Sequence, residues 1–542
     1  MSTSNETTHL NRPLRERLFD DIDSLVLVYV RVGIGIAIYF WAWFYTHPVD
    51  YDGEMLPLYD PVFMKPRFLF KYAGFEWVKL WPGNGMGWHF FITKVAAITL
   101  AIGFLTRLSG AVLCGAIAYV LLVERQIYLN HYYLLSCLAG LMLFLPAGRR
   151  LSVDSFLGIE HKSQVFKRWQ FWLLRFQVGI PYVYGAIAKM NSDWLAGQPA
   201  GIYLEQNRDV GLVDAYLQIP GAVLMFAWGG LLYDLLVVPM LMYRKTRWLA
   251  IAMSIVFHVT NSQIFNIGVF PWFMLIAIVV FFPEDSIAKL THSTRAMAKV
   301  WLSKYSDTSL SYRQAFQSIQ KNEHPDPLKL GDQGASSMTL FAKCGFAMAI
   351  VYVSVQLILP LRHWVLPGNP AWNERGHRFA WRMMLRNKTV LTTFKVVAPD
   401  GSYQFFPSTV VMTHYQSSRA ERIPELMRQA AVELKKMAKQ TGVDNAKVYC
   451  LCLTSLNGRR PRPIIDTNID LASAKRGWLV DDWVLQNHGP LPRQTWDRDK
   501  TKWWRQLVLP EQFKQLEMRN PSELEAFVEQ QRQQALRHNS TK

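Results

Sequence analysis

Long apolar stretches separated by short polar connections fill residues 25–365, whereas residues 366–542 show the mixed pattern of a soluble domain. A bilayer core of ~30 Å is crossed by a helix of about 20 apolar residues. The pattern therefore predicts nine membrane-spanning helices, at residues 25–45, 87–105, 108–123, 131–147, 169–189, 221–243, 247–262, 267–282 and 341–364. The pair 247–262 and 267–282 is also compatible with one broken element that lines a cavity.

The distribution of charge predicts the orientation of these helices. The formal net charge of +18 is concentrated in alternate connections, as the positive-inside rule describes, which argues against nucleic-acid binding. Residues 1–24 are predicted to be cytoplasmic, residues 25–365 to form the membrane domain, and residues 366–542 to lie on the extracytoplasmic side. The polar N-terminus lacks a signal-peptide pattern, so the first apolar run is predicted to be a retained helix. Short connections with few cysteines favour a bacterial inner membrane over the endoplasmic reticulum.

The C-terminal part is predicted to be a smaller α+β domain. Apolar and β-branched runs indicate strands at Thr392–Val397, Tyr403–Phe406 and Ala446–Thr454. The amphipathic stretch Ile423–Thr441 predicts a helix, and a charged helix or tail is expected from about residue 510.

The cysteines do not indicate a metal site. Of five cysteines, three lie in predicted spans, where a thiol behaves as a small apolar side chain. Cys450 and Cys452 form a C-x-C pair, but no second pair completes a set of four ligands. We therefore predict no bound metal.

Two ionisable side chains fall deep within predicted spans, where an isolated charge is costly. Arg175 lies about 7 residues from the inner end of its span, and Asp234 lies about 9 residues from the inner end of the next. At 1.5 Å of rise per residue, the two side chains reach a similar depth. Because a buried charge is tolerated when it is paired, we expect a structural ion pair between them.

A second set of polar residues converges on the outer ends of three predicted helices. The alternating topology brings one lysine, two histidines and two asparagines to a shared depth: Asn130, His131, Lys189, His258 and Asn261. Each has a simpler structural explanation, since a lysine at a helix end usually extends to water and a buried histidine or asparagine is usually hydrogen-bonded. Their shared depth favours a site.

The chemistry open to such a site follows from burial. A lysine that loses hydration favours its neutral amine and can act as a general base. A neighbouring histidine or asparagine can donate a hydrogen bond to a developing oxyanion. An amphiphilic substrate with an acidic hydroxyl, reached from the lipid, would suit this arrangement.

The same residues carry a resemblance to the vitamin K-dependent gamma-carboxylase family. Six segments match in one order along the chain, and their combination is far more specific than any one of them. The matching segments are Asn130–Ser136, Leu174–Gln177, Lys189–Trp194, Gly229–Asp234, Phe257–Gly268 and Trp372–Met384.

This resemblance implies an enzyme that oxygenates reduced vitamin K (phylloquinol or menaquinol) with O2 to its epoxide. The strong base formed in that reaction removes a γ-proton from a protein glutamate, and the carbanion adds CO2. The implied roles are catalysis for Lys189 and His131, contact with the quinol for Asn130, His258 and Asn261, and contact with the glutamate for Trp372 and Trp381. The implied partners are the lipid bilayer, a glutamate-containing peptide or protein, and a quinone reductase.

One departure from the family leaves alternatives open. Arg386 stands where the family has a histidine after its Trp-x-Met-Met motif; an arginine binds a carboxylate through its fork but does not carry a proton. Quinol epoxidation without protein carboxylation is therefore one alternative. A quinone- or peptide-binding membrane protein without turnover is another. A transporter is disfavoured because the spans show no inverted repeat.

Overall fold

The computed structural model describes residues 13–287 except 266 and 285, and residues 340–517 except 478–480 and 487. Each predicted span corresponds to a helix in these ranges. The helices are α1 (Leu25–Thr46), α2 (Gly85–Ile102), α3 (Thr106–Val123), α4 (Asn130–Phe144), α5 (Arg168–Lys189), α6 (Ala222–Met242), α7 (Arg247–Ile264), α8 (Phe270–Ala277) and α9 (Leu340–Leu361). The start of the predicted N-terminal segment and the charged tail beyond residue 517 lie outside the described residues.

Five of the described helices, α1, α2, α3, α6 and α9, are long and apolar enough to cross a membrane. The predicted count of nine spans is therefore not confirmed. The helix α4 has only 15 residues, and α8 has 8 residues before it continues as the 3₁₀ turn Ile278–Phe281. The helices α5 and α7 are long but carry several polar side chains, which lowers their hydropathy. These polar positions are the ones that build the site described below.

The membrane helices pack as a series of neighbours that closes on itself. Each helix from α1 to α7 packs against the next one in the sequence, and α8 packs against α1. The last helix, α9, packs against α5. Small residues allow the closest approaches in such a bundle. A Cβ on Gly35 of α1 would lie 2.6 Å from the carbonyl oxygen of Ala97 in α2, so only glycine fits there.

Short elements connect these helices. Strand β1 (Asp21–Asp23) pairs with β4 (Val165–Lys167), and β2 (Pro48–Tyr51) pairs with β3 (Glu54–Pro57), both antiparallel. Helices of four to seven residues lie at Leu14–Arg17, Val153–Phe156, Ser192–Leu195, Ala200–Glu205, Val213–Leu217, Pro370–Asn373, His414–Ala420 and Lys500–Gln506.

The C-terminal domain contains the three predicted strands and the predicted helix. An antiparallel sheet has the order β6–β5–β7–β8, with β5 at Lys388–Val397, β6 at Tyr403–Pro407, β7 at Lys447–Leu456 and β8 at Arg462–Pro463. Phe394 in the centre of β5 lies opposite Phe406 and Cys450 and is fully buried. Helix α10 (Pro424–Gln440) packs on β7 through its apolar face.

This domain rests on one end of the membrane domain, which we call the domain-facing side. Arg459, just after β7, donates two hydrogen bonds to the carboxylate of Asp193, in the short helix that follows α5. Asn457 donates a third, at 2.8 Å. The end of α5 is thereby tied directly to the sheet.

Candidate functional site

Lys189 and Asp234 form a buried ion pair on the domain-facing side. Lys189 is the last residue of α5, Asp234 lies within α6, and their side chains are only 8% and 4% exposed. The indole of Trp194 lies 5.4 Å from Nζ of the lysine. Gly185, one turn before the lysine, leaves room for the carboxylate, since a Cβ there would lie 2.8 Å from its Oδ2. Two ionised groups are tolerated here because together they carry no net charge.

The predicted ion pair between Arg175 and Asp234 is wrong. Arg175 donates Nε to the carbonyl of Val280 at 2.8 Å and Nη2 to that of Phe282 at 2.7 Å. Its guanidinium also lies 4.1 Å from the ring centroid of Phe171. The carbonyls at the end of the 3₁₀ turn after α8 lack helical partners, so they accept these hydrogen bonds. The two side chains do not share a depth: Asp234 meets α5 at its end, at Lys189, which lies about 21 Å along the helix from Arg175.

His258 lies among aromatic hydroxyl groups beside the ion pair. Its Nε2 is 3.1 Å from the hydroxyl of Tyr182 and 3.4 Å from that of Tyr233. Tyr182 is two turns before Lys189 on α5, and Tyr233 directly precedes Asp234 on α6. The histidine is 2% exposed, and its Nδ1 has no hydrogen-bond partner among the described residues. A buried ring nitrogen without a partner is unusual and marks a position suited to a ligand group.

Asn261 lies one turn beyond His258 on α7 and is half-buried. The helix α7 packs against both α6 and α8. The structure therefore places the asparagine at the same end of the membrane domain as His258.

Asn130 and His131 begin α4 on the same side. The imidazole of His131 is buried and stacks on the ring of Phe270 in α8, with centroids 5.3 Å apart. The side chain of Asn130 accepts a hydrogen bond from the hydroxyl of Tyr128 at 3.0 Å and donates one to the carbonyl of Arg382 at 3.5 Å. His131 is thus held by ring contacts, and Asn130 links α4 to the chain above it.

Residues 379–386, which we call the capping segment, lie across the domain-facing ends of the membrane helices. Trp381 is 1% exposed and packs on Tyr133 of α4, with ring centroids 5.2 Å apart. The methyl group of Met383 lies 3.6 Å from the position that a Cβ on Gly185 would occupy, next to the ion pair. The capping segment therefore separates this pair from the C-terminal domain.

The backbone of the capping segment is unusual. Phe379, Trp381 and Met384 have φ angles of +55°, +54° and +55°. Large side chains rarely adopt this left-handed region, and such strain persists where the surroundings enforce it, often at functional sites. Trp381 is buried, and the half-buried Phe379 and Met384 pack on Tyr133 and on the residues around Phe265, which supplies that enforcement.

A buried charge cluster lies directly above the capping segment. Glu374 accepts hydrogen bonds from Nε of Arg386 at 2.5 Å and from Nζ of Lys388 at 2.6 Å. Arg382 and Arg422 also act electrostatically on this carboxylate or its partners. The cluster therefore holds more positive than negative charge. Arg386 was predicted to bind a substrate carboxylate. In the structure it is hydrogen-bonded to the carboxylate of Glu374.

Burial and charge act in opposite directions on the groups of this cluster. Burial alone raises the pKa of Glu374, but the neighbouring Arg386 and Lys388 cations hold that pKa well below its usual range. Burial lowers the pKa of Lys388 to about 8, although Glu374 opposes the change. Burial also lowers the pKa of His377 well below its usual value, so its imidazole is neutral.

Trp372 contacts this cluster through its backbone. The indole is 1% exposed and donates to the carbonyl of Leu485 at 2.6 Å. Its own carbonyl accepts a hydrogen bond from Lys388 at 2.5 Å. The residue thus positions the lysine through its backbone carbonyl.

Several residues of the site were missed in the sequence. In the sequence, Tyr182 and Tyr233 appear only as aromatic residues in apolar helices. The seven-residue spacing between Tyr182 and Lys189 does place those two side chains on one face of their helix. Glu374 lies two residues after Trp372, and Lys388 lies two residues after Arg386. Nothing in the local sequence indicated that Glu374 and Lys388 would be in contact.

Two domain families match the chain in order. The HTTM domain matches residues 19–285, and the vitamin K-dependent gamma-carboxylase lumenal domain matches residues 341–489. No solved structure matches the chain. The fold and these matches define a class: a membrane protein of several apolar helices with a smaller α+β domain that matches a family of lumenal domains. The chain belongs to the vitamin K-dependent gamma-carboxylase family.

Proposed function

We propose that this protein is a vitamin K-dependent gamma-carboxylase that couples epoxidation of reduced vitamin K to carboxylation of a protein glutamate. In the first reaction, the hydroquinone and O2 give the epoxide and water. In the second, the glutamate γ-carbon loses a proton and gains CO2 as a second carboxylate. The observation that carries the proposal is the buried Lys189–Asp234 pair, which supplies a proton acceptor in apolar surroundings.

The residues around the pair fit a hydroquinone, which is flat, apolar and carries two hydroxyl groups. The unpartnered Nδ1 of His258 offers a hydrogen bond in a buried setting, next to the hydroxyl groups of Tyr182 and Tyr233. His131 and Asn261 lie at the same end of the membrane domain and would orient the ring, and Asn130 would hold the start of α4 in place. A quinone reductase would have to supply the hydroquinone, because each turnover consumes one.

The glutamate is proposed to bind at the capping segment itself. Arg382 Nε and Trp381 Nε1 are buried N–H groups without a hydrogen-bond partner among the described residues. Leaving such donors unsatisfied costs about 1–3 kcal/mol each, so an acceptor is expected. A carboxylate fits because Arg382 also carries a charge. The capping segment would then bring the glutamate close to the hydroquinone site.

The test is an assay of both reactions on the purified protein in lipid nanodiscs. Reduced vitamin K, O2, labelled CO2 and a glutamate-rich peptide are supplied, and epoxide and peptide-bound label are measured. We expect both products from the wild-type protein and neither from Lys189→Ala. Lys94→Ala is the matched control, because Lys94 is also embedded in a membrane helix but donates to Thr46, away from the site. Absence of epoxide from the wild-type protein would refute the proposal.

One observation favours a second candidate, epoxidation without carboxylation. Glu374 already occupies Arg386 and Lys388, so the cluster is partly closed to a substrate carboxylate. Epoxide formation without incorporation of label, whether or not peptide is present, would establish this narrower activity.

A further inference from the structure

We propose that Asp234 is the final acceptor of the hydroquinone proton, with Lys189 passing the proton to it and remaining as the cation that holds the hydroquinone anion. This inference rests on the proposed function and assigns the aspartate a catalytic role. It follows from the contact between the two side chains and from the charge balance of a buried site.

A neutral lysine cannot act alone in this structure. The carboxylate of Asp234 is 4% exposed and its ionic partner is Lys189. If the lysine became a free amine while the carboxylate stayed ionised, a single negative charge would remain in apolar surroundings. Such an uncompensated charge costs several kcal/mol, about 3–5 kcal/mol when one member of a buried pair is removed. The proton that the lysine gives up must therefore move to the carboxylate.

Among the described residues, Lys189 is the cation whose charge acts on the carboxylate of Asp234. Tyr182 from α5 and Tyr233 from α6 lie within electrostatic reach of the carboxylate, His258 from α7 contacts both of their hydroxyl groups, and the capping segment contributes the apolar Met383. Two further pairs among the described residues lie at this end of the membrane domain. They are Asp193 with Arg459, and Arg386 with Glu374.

The proposed step conserves charge and atoms. The O–H bond of the hydroquinone breaks, its proton joins Lys189 Nζ, and a proton already on Nζ moves to Oδ2 of Asp234. Before the step, the site holds one ammonium and one carboxylate. Afterwards it holds one ammonium, one neutral carboxylic acid and one hydroquinone anion. The net charge is zero in both states, so the step creates no unpaired charge in the membrane.

The distinguishing variants are Asp234→Asn, which keeps the shape but accepts no proton, and Asp234→Glu, which keeps the carboxylate. Positioned proton transfer contributes about 10²–10⁴-fold to a rate. We therefore expect Asp234→Asn to lower kcat for epoxide formation at least about a hundredfold at every pH, with KM for the hydroquinone nearly unchanged, and Asp234→Glu to retain measurable turnover. Thermal unfolding in detergent verifies that both variants are folded.

A purely structural aspartate predicts the opposite behaviour. Without the carboxylate, Lys189 would lose its counter-charge and form the free amine more readily. Asp234→Asn would then keep its activity, with an optimum at lower pH, and that result would overturn the inference. If Asp234→Asn does not fold, Asp234→Ala is assayed with added formate or acetate. Rescue by the small carboxylate supports the inference, and a folded but unrescued variant contradicts it.

The two proposals fail in different ways. A wild-type protein that makes no epoxide removes the proposed function itself. A wild-type protein that makes epoxide, together with an active Asp234→Asn variant, leaves that function intact and removes only the role of Asp234.

Discussion

Arg459 of the C-terminal domain binds Asp193 through two hydrogen bonds, from Nη1 at 2.6 Å and from Nη2 at 2.7 Å. Asp193 is four residues beyond Lys189, the last residue of α5. The contact therefore joins the soluble sheet to the helix end that carries the proposed base. The same carboxylate also accepts from Asn457, so three donors from the C-terminal domain hold it.

Replacement of Arg459 by alanine should loosen the junction between the two domains. The side chains of Arg459 and Asp193 are 6% and 11% exposed, so the substitution leaves a buried carboxylate without its cation. We expect a loss of about 3–5 kcal/mol in stability and faster proteolysis between the domains. Arg460→Ala is the control, since Arg460 is exposed and lies over the ring of Trp496. Equal proteolysis rates for the two variants would contradict this prediction.

The charge cluster around Glu374 should make stability dependent on acid pH. Arg386 and Lys388 hold the pKa of Glu374 well below its usual range, although burial raises it. A carboxylate with a depressed pKa contributes its stability above the unfolded value of ~4.3 and loses it as pH falls towards the folded value. Glu374→Gln should therefore reduce stability at pH 7 and flatten the decline below about pH 4, as measured by urea unfolding. If the free energy of unfolding falls equally steeply below about pH 4 in the wild-type protein and in Glu374→Gln, Glu374 is not responsible for the loss of stability in acid.

Gly185→Ala should weaken the ion pair without disrupting the fold. The added Cβ would lie 2.8 Å from Oδ2 of Asp234, so the carboxylate must move away from Lys189. We expect at least a tenfold loss of epoxide formation. Gly229→Ala on α6 is the matched control, because its added Cβ meets nothing within 4 Å. In a helix, that change should stabilise the protein by about 0.5–1 kcal/mol and leave activity unchanged. Equal activity of the two variants would count against the proposed geometry.

Arg175→Met should reduce stability but leave the chemistry intact. The guanidinium is bonded to the carbonyls of Val280 and Phe282, so its loss leaves two buried acceptors unpaired, at about 1–3 kcal/mol each. Folded protein should still form epoxide at the wild-type rate per molecule. Loss of activity in folded Arg175→Met would instead indicate that the arginine acts on Asp234, as the sequence first suggested.

Much of the local structure could be predicted from the sequence, because hydrophobic length and periodicity are properties of one segment. The runs around Phe394, Phe406 and Cys450 predicted strands of the observed sheet, and the amphipathic pattern after Ile423 predicted α10. The number of membrane spans was less predictable. Helices α5 and α7 contain the polar residues that build the site in place of apolar ones. Their amino-acid composition therefore does not identify them as membrane spans.

The sequence by itself determined that Lys189 ends an apolar helix and that a charge as deep as Asp234 requires a partner. Which partner it has was decided by the tertiary structure. Arg175 and Lys189 lie on the same helix, and only the packing of α5 on α6, with Gly185 at the contact, directs the lysine to the carboxylate. Arg386 likewise met Glu374 through the folding of two separate segments. A linear pattern specifies the cost of burying a charge, but the three-dimensional packing selects the group that compensates it.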